Sequence, residues 1–464
     1  MAGLTSLLNV ARDALTAQSY GLGVTGSNIS NASTPGYVRR VALLQTQDLG
    51  SQASGSVVAT GLQRVTDDFI DRREFAATGQ SSAATTRDQT MASVESLFND
   101  TGGTGLGTSL SNLFSSFSSL ANNPNDTTTR SNVLSAADAF SQTVNNAGTA
   151  IAQAQNDLKT QAQQTIDQVN QRAQEIAKLD MQIAQATMQG NDAADLKDQR
   201  TQKLLNISSL VNTTTFTDAQ GNQVVQVAGT TIVEGGHAGA LSLDLHADGS
   251  LKLNAVQSGG GTTEITQYLT GGTLGGIKEA RDTDLFDVSK KLDQFVFDTA
   301  TAINTQHAAG VGADGGTGRN LFDVGGAPAG AALNLKVSVD VFNQPDKVAA
   351  AASVFSVPGG SDNAVAMAKL ADVFTNTGGT RTAAQAYGDL VGSIGSTRAN
   401  SQRDVDTQKA ILTQVQSMHQ SESGVSLDEE MVSLTKYQNA YQAASRVLNV
   451  ADTLLGDLMT SIGR

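Results

Sequence analysis

The sequence has no cysteine and no tryptophan, and aromatic residues make up only 4% of its 464 positions. Without cysteine there are no disulfides and no thiol-bound metals, and oxidation cannot crosslink the chain. With few large rings and 46 glycines, the apolar area available per residue is thin, so stability must lean on helix pairing or on other subunits. No apolar run approaches 18 residues, which excludes a membrane-spanning helix. Met1-Ala2-Gly3-Leu4 shows no basic run followed by an apolar core, so no cleavable signal peptide is expected, and cytosol or export without cleavage both stay open. The 44 acidic residues outweigh 30 basic ones, and a formal charge of -14 argues against nucleic acid as a partner.

Signals for catalysis and for cofactors are also missing. The four histidines, His237, His246, His307 and His419, are dispersed without metal-ligand spacing. Gly310-Val311-Gly312-Ala313-Asp314-Gly315 matches the dinucleotide fingerprint in letters, but it follows a helical stretch and opens none, so a flexible loop is expected. Asp282 and Asp284 lack an accompanying base, nucleophile or metal partner and read as helix-start acids. The expectation is therefore a protein with no enzymatic activity, no catalytic residues, no metal and no cofactor.

Two heptad seams stand at the ends of the chain. Leu434, Tyr437, Tyr441, Ala444, Leu448, Ala451, Leu455, Leu458 and Ile462 follow one another in alternating steps of three and four, the signature of a helix that seeks a partner helix. Ser426-Leu427-Asp428-Glu429 reads as a capping box at its start, with Asp428, Glu429 and Glu430 on the positive end of the helix dipole. Leu4, Leu8, Ala11, Leu15, Gln18, Leu22, Thr25 and Ile29 repeat the pattern at the other end, so the two helices are expected to pair as a coiled coil. The spacing also fits two ordinary amphipathic helices, each packed on its own domain. Gly21, Gly23 and Gly26 tip the reading toward pairing, because each costs about 1 kcal/mol relative to alanine and such a helix should not persist without neighbours.

Between the ends, the period changes twice. Residues 62–100 read as helix interrupted near Gly79, and Leu110, Leu113, Phe114, Phe117 and Leu120 as a short helix stopped at Asn122-Asn123-Pro124. The longest helical signal runs from Val133 to about Met188, with a stutter between Leu158 and Ile166. Gly190 to Arg200 reads as a turn and a capped, solvated, charge-rich helix ending near Val211. From Asn212 to Gly275 apolar residues alternate, with Asp248-Gly249 as a hairpin signal, and Gly275-Gly276 should close this small antiparallel β module. Helix is expected again from Ile277 to His307, then a glycine-rich loop over 308–330, a strand from Leu333 to Val341, and helices from Asn363 to Phe374 and Thr382 to Ser421.

After the first helix, Asn28-Ile29-Ser30-Asn31-Ala32-Ser33-Thr34-Pro35-Gly36-Tyr37 is a helix terminator, since Pro35 disfavours helix at Thr34 and Pro-Gly forms a turn. This segment, together with Ser423-Gly424-Val425-Ser426-Leu427-Asp428-Glu429-Glu430 and Tyr437-Gln438-Asn439-Ala440-Tyr441, closely resembles the terminal signatures of the axial proteins of the bacterial flagellum. Asp198-Gln199-Arg200 after a long helix is similar to the members of that family that join hook to filament. The resemblance marks Asn28, Ser30, Asn31, Thr34, Pro35, Gly36, Tyr37, Gly424, Leu427, Asp428, Glu429 and Glu430 as family motif residues, and the two seams as the assembly interface.

The resemblance implies a mainly α protein with an inserted β module and nested domains. Residues 1–40 with 423–464 would form a terminal coiled-coil domain, 41–211 with 276–422 a helical bundle, and 212–275 an outer β domain; 308–342 is a loop and strand of open placement. The implied function is a structural subunit at the hook–filament junction, exported by the flagellar type III apparatus to the outside of the cell and assembled at the hook tip. Implied partners are further copies in a tubular or ring-like layer, the hook protein, the second junction protein (hook-associated protein 3), the filament cap protein, and a cytosolic export chaperone on the C-terminal helix. The alternative is another axial protein, of hook or distal rod, with more β structure than helix between its ends. An unrelated reading places a small-molecule or enzymatic site within 212–340.

Overall fold

The computed structural model describes residues 2–47, 55–100, 103–218, 221–373, 375–376 and 378–462. Helix α1 (Ala2–Asn31) stops before Pro35-Gly36, where Gly36 takes a φ of +79° that only glycine adopts freely. The chain then forms an antiparallel hairpin, β1 (Arg40–Gln47) and β2 (Ser56–Arg64), with Arg40 opposite Arg64. Leu62 therefore lies in a strand and Val65 follows it, where the sequence suggested helix. Helix starts only after Asp67, whose carboxylate accepts from the amides of Phe69 and Ile70.

Helix α2 (Asp68–Leu97) runs through Gly79 without a break. A Cβ there would sit 3.0 Å from the carbonyl oxygen of Ser208, so this glycine admits a neighbouring helix and does not interrupt its own. Helix α3 (Leu106–Asn122) packs Leu113, Phe117 and Leu120 fully buried against α4 (Thr127–Met188), a single helix of 62 residues. Asp126 caps α4 through the Thr128 amide at 2.8 Å, so it begins about two turns before Val133. Val144, Ile151, Leu158, Ala162, Ile166, Val169, Ala173 and Ile176 form its inner stripe. Helix α5 (Ala194–Leu210) has no side-chain cap, contrary to the sequence reading, because Asp192 turns to the Leu62 amide (2.8 Å) and Ala193 takes a left-handed conformation.

The β module comprises a four-stranded sheet, β3 (Thr213–Thr217), β4 (Gln223–Val227), β5 (Thr230–Glu234) and β6 (His237–Ala238) in sequential order, and a three-stranded sheet, β7 (Ala240–Leu245), β8 (Leu251–Val256) and β9 (Thr262–Glu264). The β7–β8 hairpin turns at Asp248-Gly249 and sets Leu243 opposite Leu253. Its inner residues Val225, Ile232, Leu241 and Leu253 belong to the same continuous core as the inner stripe of α4. Asn170 of α4 bonds Leu241 twice, donating to its carbonyl and accepting from its amide.

Helix returns at α6 (Gly272–Glu279), earlier than Gly275-Gly276 suggested. Both glycines lie inside α6, and Gly276 lets it press on α2: a Cβ there would approach the Ala83 carbonyl to 2.5 Å. A π-helical turn over Ala280–Leu285 leads into α7 (Phe286–Ala309), so Asp282 and Asp284 are not helix-start acids. Asp284 accepts a fork of two hydrogen bonds from Arg87 of α2 at 2.7 and 2.9 Å. The 310–315 loop is tied down as well. Val311 bridges Thr317 and Ala351, and Arg319 holds Asp314 through two nitrogens.

The strand foreseen over Leu333–Val341 shrinks to two residues, β11 (Lys336–Val337), after the short α8 (Ala331–Asn334). Its partner β10 (Phe322–Asp323) offers no longer ladder; Leu335, Val337 and Val341 still reach the core, while Val339 is 77% exposed. Helix α9 (Asp362–Lys369) ends before Phe374, which lies outside the described residues. Helix α10 (Ala383–Ser423) begins with a Thr382–Gln385 capping box and lies along α2, and α11 (Leu427–Ile462) lies along α1.

Candidate assembly interface

The ends of the chain meet. On α1 the buried face comprises Ala11, Ala17, Gly21, Val24, Thr25 and Asn28. Of the foreseen seam, Ala11 and Thr25 are buried and Leu4, Leu8, Leu15, Leu22 and Ile29 half-buried, so beyond Ala17 the contact face has turned by one residue. On α11, Ala451 is buried, Leu434, Tyr437, Ala444, Leu448 and Leu455 are half-buried, and Tyr441 and Leu458 are exposed. The side chain of Ile462 lies outside the described residues.

The three glycines of α1 prove unequal. A Cβ at Gly21 would stand 2.6 Å from the Tyr437 ring, so Gly21 is a socket for that ring. Gly23 and Gly26 meet no neighbour within 4 Å.

At the inner end of the pair, the motif residues converge on one buried amide. Asn28, 1% exposed, donates through Nδ2 to the Arg40 carbonyl (2.8 Å) and to Glu430 Oε2 (3.0 Å). Its Oδ1 accepts from the Tyr37 hydroxyl (2.8 Å) and the Arg40 amide (3.1 Å). Glu430 also takes Arg39 Nε at 2.9 Å, and Glu429 pairs with Arg39 Nη1 at 2.9 Å. Glu429 thus reaches across to the other terminus and not back onto its own helix as a capping box. The Arg39 amide donates to the Ser423 carbonyl (2.9 Å), stitching the segment after α1 to the end of α10. Every hydrogen-bonding atom of the Asn28 side chain is used, which is what permits its burial.

The remaining motif residues shape the turns. Asn31 Nδ2 donates to the Ser27 carbonyl and Thr34 Oγ1 to Asn31 Oδ1, while Pro35 and Ser30 are exposed. The Gln202 side chain of α5 lies over Gly36. The Gly424 amide ends α10 on the Gln420 carbonyl (3.0 Å), and Leu427 and Asp428 face outward.

A second layer of charge links this joint to the bundle. Arg40 pairs with Asp195 (2.5 Å) and Asp198 (2.8 Å), Arg64 with Asp198 (2.7 Å), and Arg200 with Asp180 (2.6 Å). Burial pushes the Arg40 guanidinium down, and Asp198 and Asp195 more than offset it. The sequence suggested a solvated helix start here, yet Asp198 is only 8% exposed, because its partners lie more than a hundred residues away. Cation–π contact of Arg40 with the Tyr37 ring, 4.6 Å to the centroid, joins the two layers. Near the exit of α10, His419 sits 3.3 Å from Asp71 and 3.7 Å from Glu74 of α2. The Asp71 contact raises its pKa against the opposing effect of burial, with help from Glu74.

The 212–340 region builds no comparable convergence. His307 is buried, with burial lowering its pKa, and its ring nitrogens bond the Arg319 carbonyl and the Ala349 amide; it fastens loops. Among the described residues no group of three or more His, Asp and Glu could hold a metal ion, and no helix is long and apolar enough to cross a membrane. An open groove of about 720 Å³ lies instead on the terminal pair, between Leu15, Tyr20, Gly23, Val24 and Tyr441.

Comparison with known proteins accounts for this arrangement. The family described as the flagellar hook-associated protein FlgK helical domain matches residues 91–322, half of the chain. The chain belongs to that family. The flagella basal body rod protein family matches residues 8–37, and the flagellar basal body rod FlgEFG protein C-terminal family matches 416–461, the two stretches that build the Asn28–Glu430 joint. Flagellar hook-associated protein 1 of Bacillus subtilis (strain 168) is 27% identical over 500 residues, covering 98% of each chain. That of Escherichia coli (strain K12) is 26% identical, covering 98% of this chain and all of the other. The flagellar hook junction protein FlgK from Burkholderia pseudomallei shares the fold, with a TM-score of 0.68 at 17% identity over 76% of this chain and all of the other. At 66% helix the chain lacks the β-rich middle that the hook or rod alternative required. As a member of the hook-associated family it is a structural protein of the flagellum.

Proposed function

We propose that the latched α1–α11 pair is the part of this hook–filament junction subunit that enters the polymer. The supporting observation is the outer face of α11. Met431, Val432, Val447, Val450, Leu454 and Met459 are exposed on a helix partnered along one side only, a long apolar surface for an isolated chain to show water. Further copies of the chain cover it, in a tubular or ring-like layer. Residues 1–40 with 423–464 form the inner layer, 41–211 with 276–422 the bundle around it, and 212–275 the outermost layer. The hook protein lies on one side and hook-associated protein 3 on the other, with the filament cap protein present during assembly. The subunit leaves the cell unfolded, and a cytosolic chaperone shields α11 before export. It carries out no catalysis.

Leu448 is half-buried, so Leu454, which is exposed, is the cleaner test. Leu454→Asp should leave the thermal unfolding of the purified monomer unchanged and yield cells with hooks but no filaments. Normal filaments in that strain would refute the assembly surface.

A further inference from the structure

Although acids outnumber bases 44 to 30 in this chain, arginines gather around one small cavity. It encloses about 90 Å³ where β2 hands over to α2, beside α5 and β3. Arg64, Arg72 and Arg200 line it, with Thr66, Thr215 and Thr217. A guanidinium carries about five N–H donors, and here few are spent inside the chain. Arg64 gives Nε to Asp198 and Arg200 gives Nη1 to Asp180, so two carboxylates pin these side chains while leaving their other nitrogens unused. Nη2 of Arg64 and Nε of Arg200 are buried without any partner, which is unfavourable as it stands. Arg72 forms no ion pair or hydrogen bond among the described residues. Asp68 and Asp71 are the acids on the wall, and Asp71 is already engaged by His419. Lys197 nearby has its pKa lowered chiefly by burial and further by Arg64 and Arg200, against an opposing effect of Asp192.

We propose that this cavity binds one small tetrahedral oxyanion, inorganic phosphate or sulfate, held by Arg64, Arg72 and Arg200. Three arginines lining one space suit an anion with several equivalent oxygens. At roughly 30 Å³ per water molecule in the liquid, the volume holds about three waters, enough for one such anion and too little for a nucleotide. The bound anion would tie the hairpin, the bundle and the β module together at the point where all three meet.

The test is calorimetric titration of the full-length monomer with sodium phosphate and, separately, sodium sulfate, at constant ionic strength against chloride, alongside Arg72→Gln. Arg72 has no partner to lose, and circular dichroism verifies that the variant folds. Saturable binding of either anion in the low millimolar range, weakened ~10-fold or more by R72Q, is the expected result. The anion that binds more tightly identifies the physiological candidate. Selenate soaked into crystals should give an anomalous peak in the cavity. No saturable heat, or binding equal in wild type and R72Q, would overturn the proposal. So would a stabilisation that grows linearly with salt in both proteins, which is the generic exclusion effect of these ions.

Discussion

The helical body and the terminal pair are both long helices laid side by side, yet they are held together by different physics. In the body, Phe117, Phe140, Val144, Ile166 and Ile176 are wholly removed from water, and burial of apolar area holds α3, α4 and α7 together. In the terminal pair, contact rests on small residues (Ala11, Ala17, Gly21, Ala451), and a polar latch around Asn28 and Glu430 fixes the register. A body stabilised by area is stable alone. A pair stabilised by a few directional bonds and half-covered side chains is specific but weak, which suits a surface that must stay uncommitted until neighbours arrive.

The sharpest way to break the comparison is to weaken each part and ask whether the other notices. Phe140→Ala, in the core of α4, should destabilise the body by about 3–5 kcal/mol in urea unfolding followed by circular dichroism. If the ends then exchange amide hydrogens no faster than in wild type at equal body stability, the two parts are independent. Asn28→Ala should strand the Arg40 amide and carbonyl and unbalance Glu430, a loss of about 1–3 kcal/mol confined to the pair. Hydrogen exchange should speed up in α1 and α11 alone, and a lowered melting temperature of the body would show that the latch is no separate unit.

A third test addresses the brace between the two. His419 has its pKa raised above 6.5, and burial raises the neighbouring Glu74 as well. A group with a raised folded pKa stabilises fully below its unfolded value and loses that stabilisation as pH rises through the folded value. The α10–α2 contact should therefore be strongest below about pH 6.5 and weaken above it. The slope of melting temperature against pH between 6 and 8 should flatten in His419→Gln; an unchanged slope would assign the pH dependence elsewhere. The smallest effect is expected at Gly23, where a methyl group meets open space: Gly23→Ala should stabilise α1 by up to about 1 kcal/mol. If the same change blocks assembly, a neighbouring helix in the polymer must approach α1 at that position.

Local rules sufficed for much of this fold. Helix periods, the Pro35-Gly36 stop and the Asp248-Gly249 turn follow from side-chain spacing and from backbone conformations that neighbouring residues impose. What the sequence alone did not determine is where distant residues meet. Gly21 read as a cost to its helix and Gly276 as the end of the β module, and only the crossing partners Tyr437 and Ala83 show that they are clearances. Asp198 read as part of a solvated helix start and Asp284 as a helix-start acid until the folded chain sets Arg40, Arg64 and Arg87 against them. Glu429 had a plausible local partner and took a distant one, Arg39. Propensity and periodicity act over a few residues, whereas close approach and charge pairing depend on positions that only tertiary packing brings together.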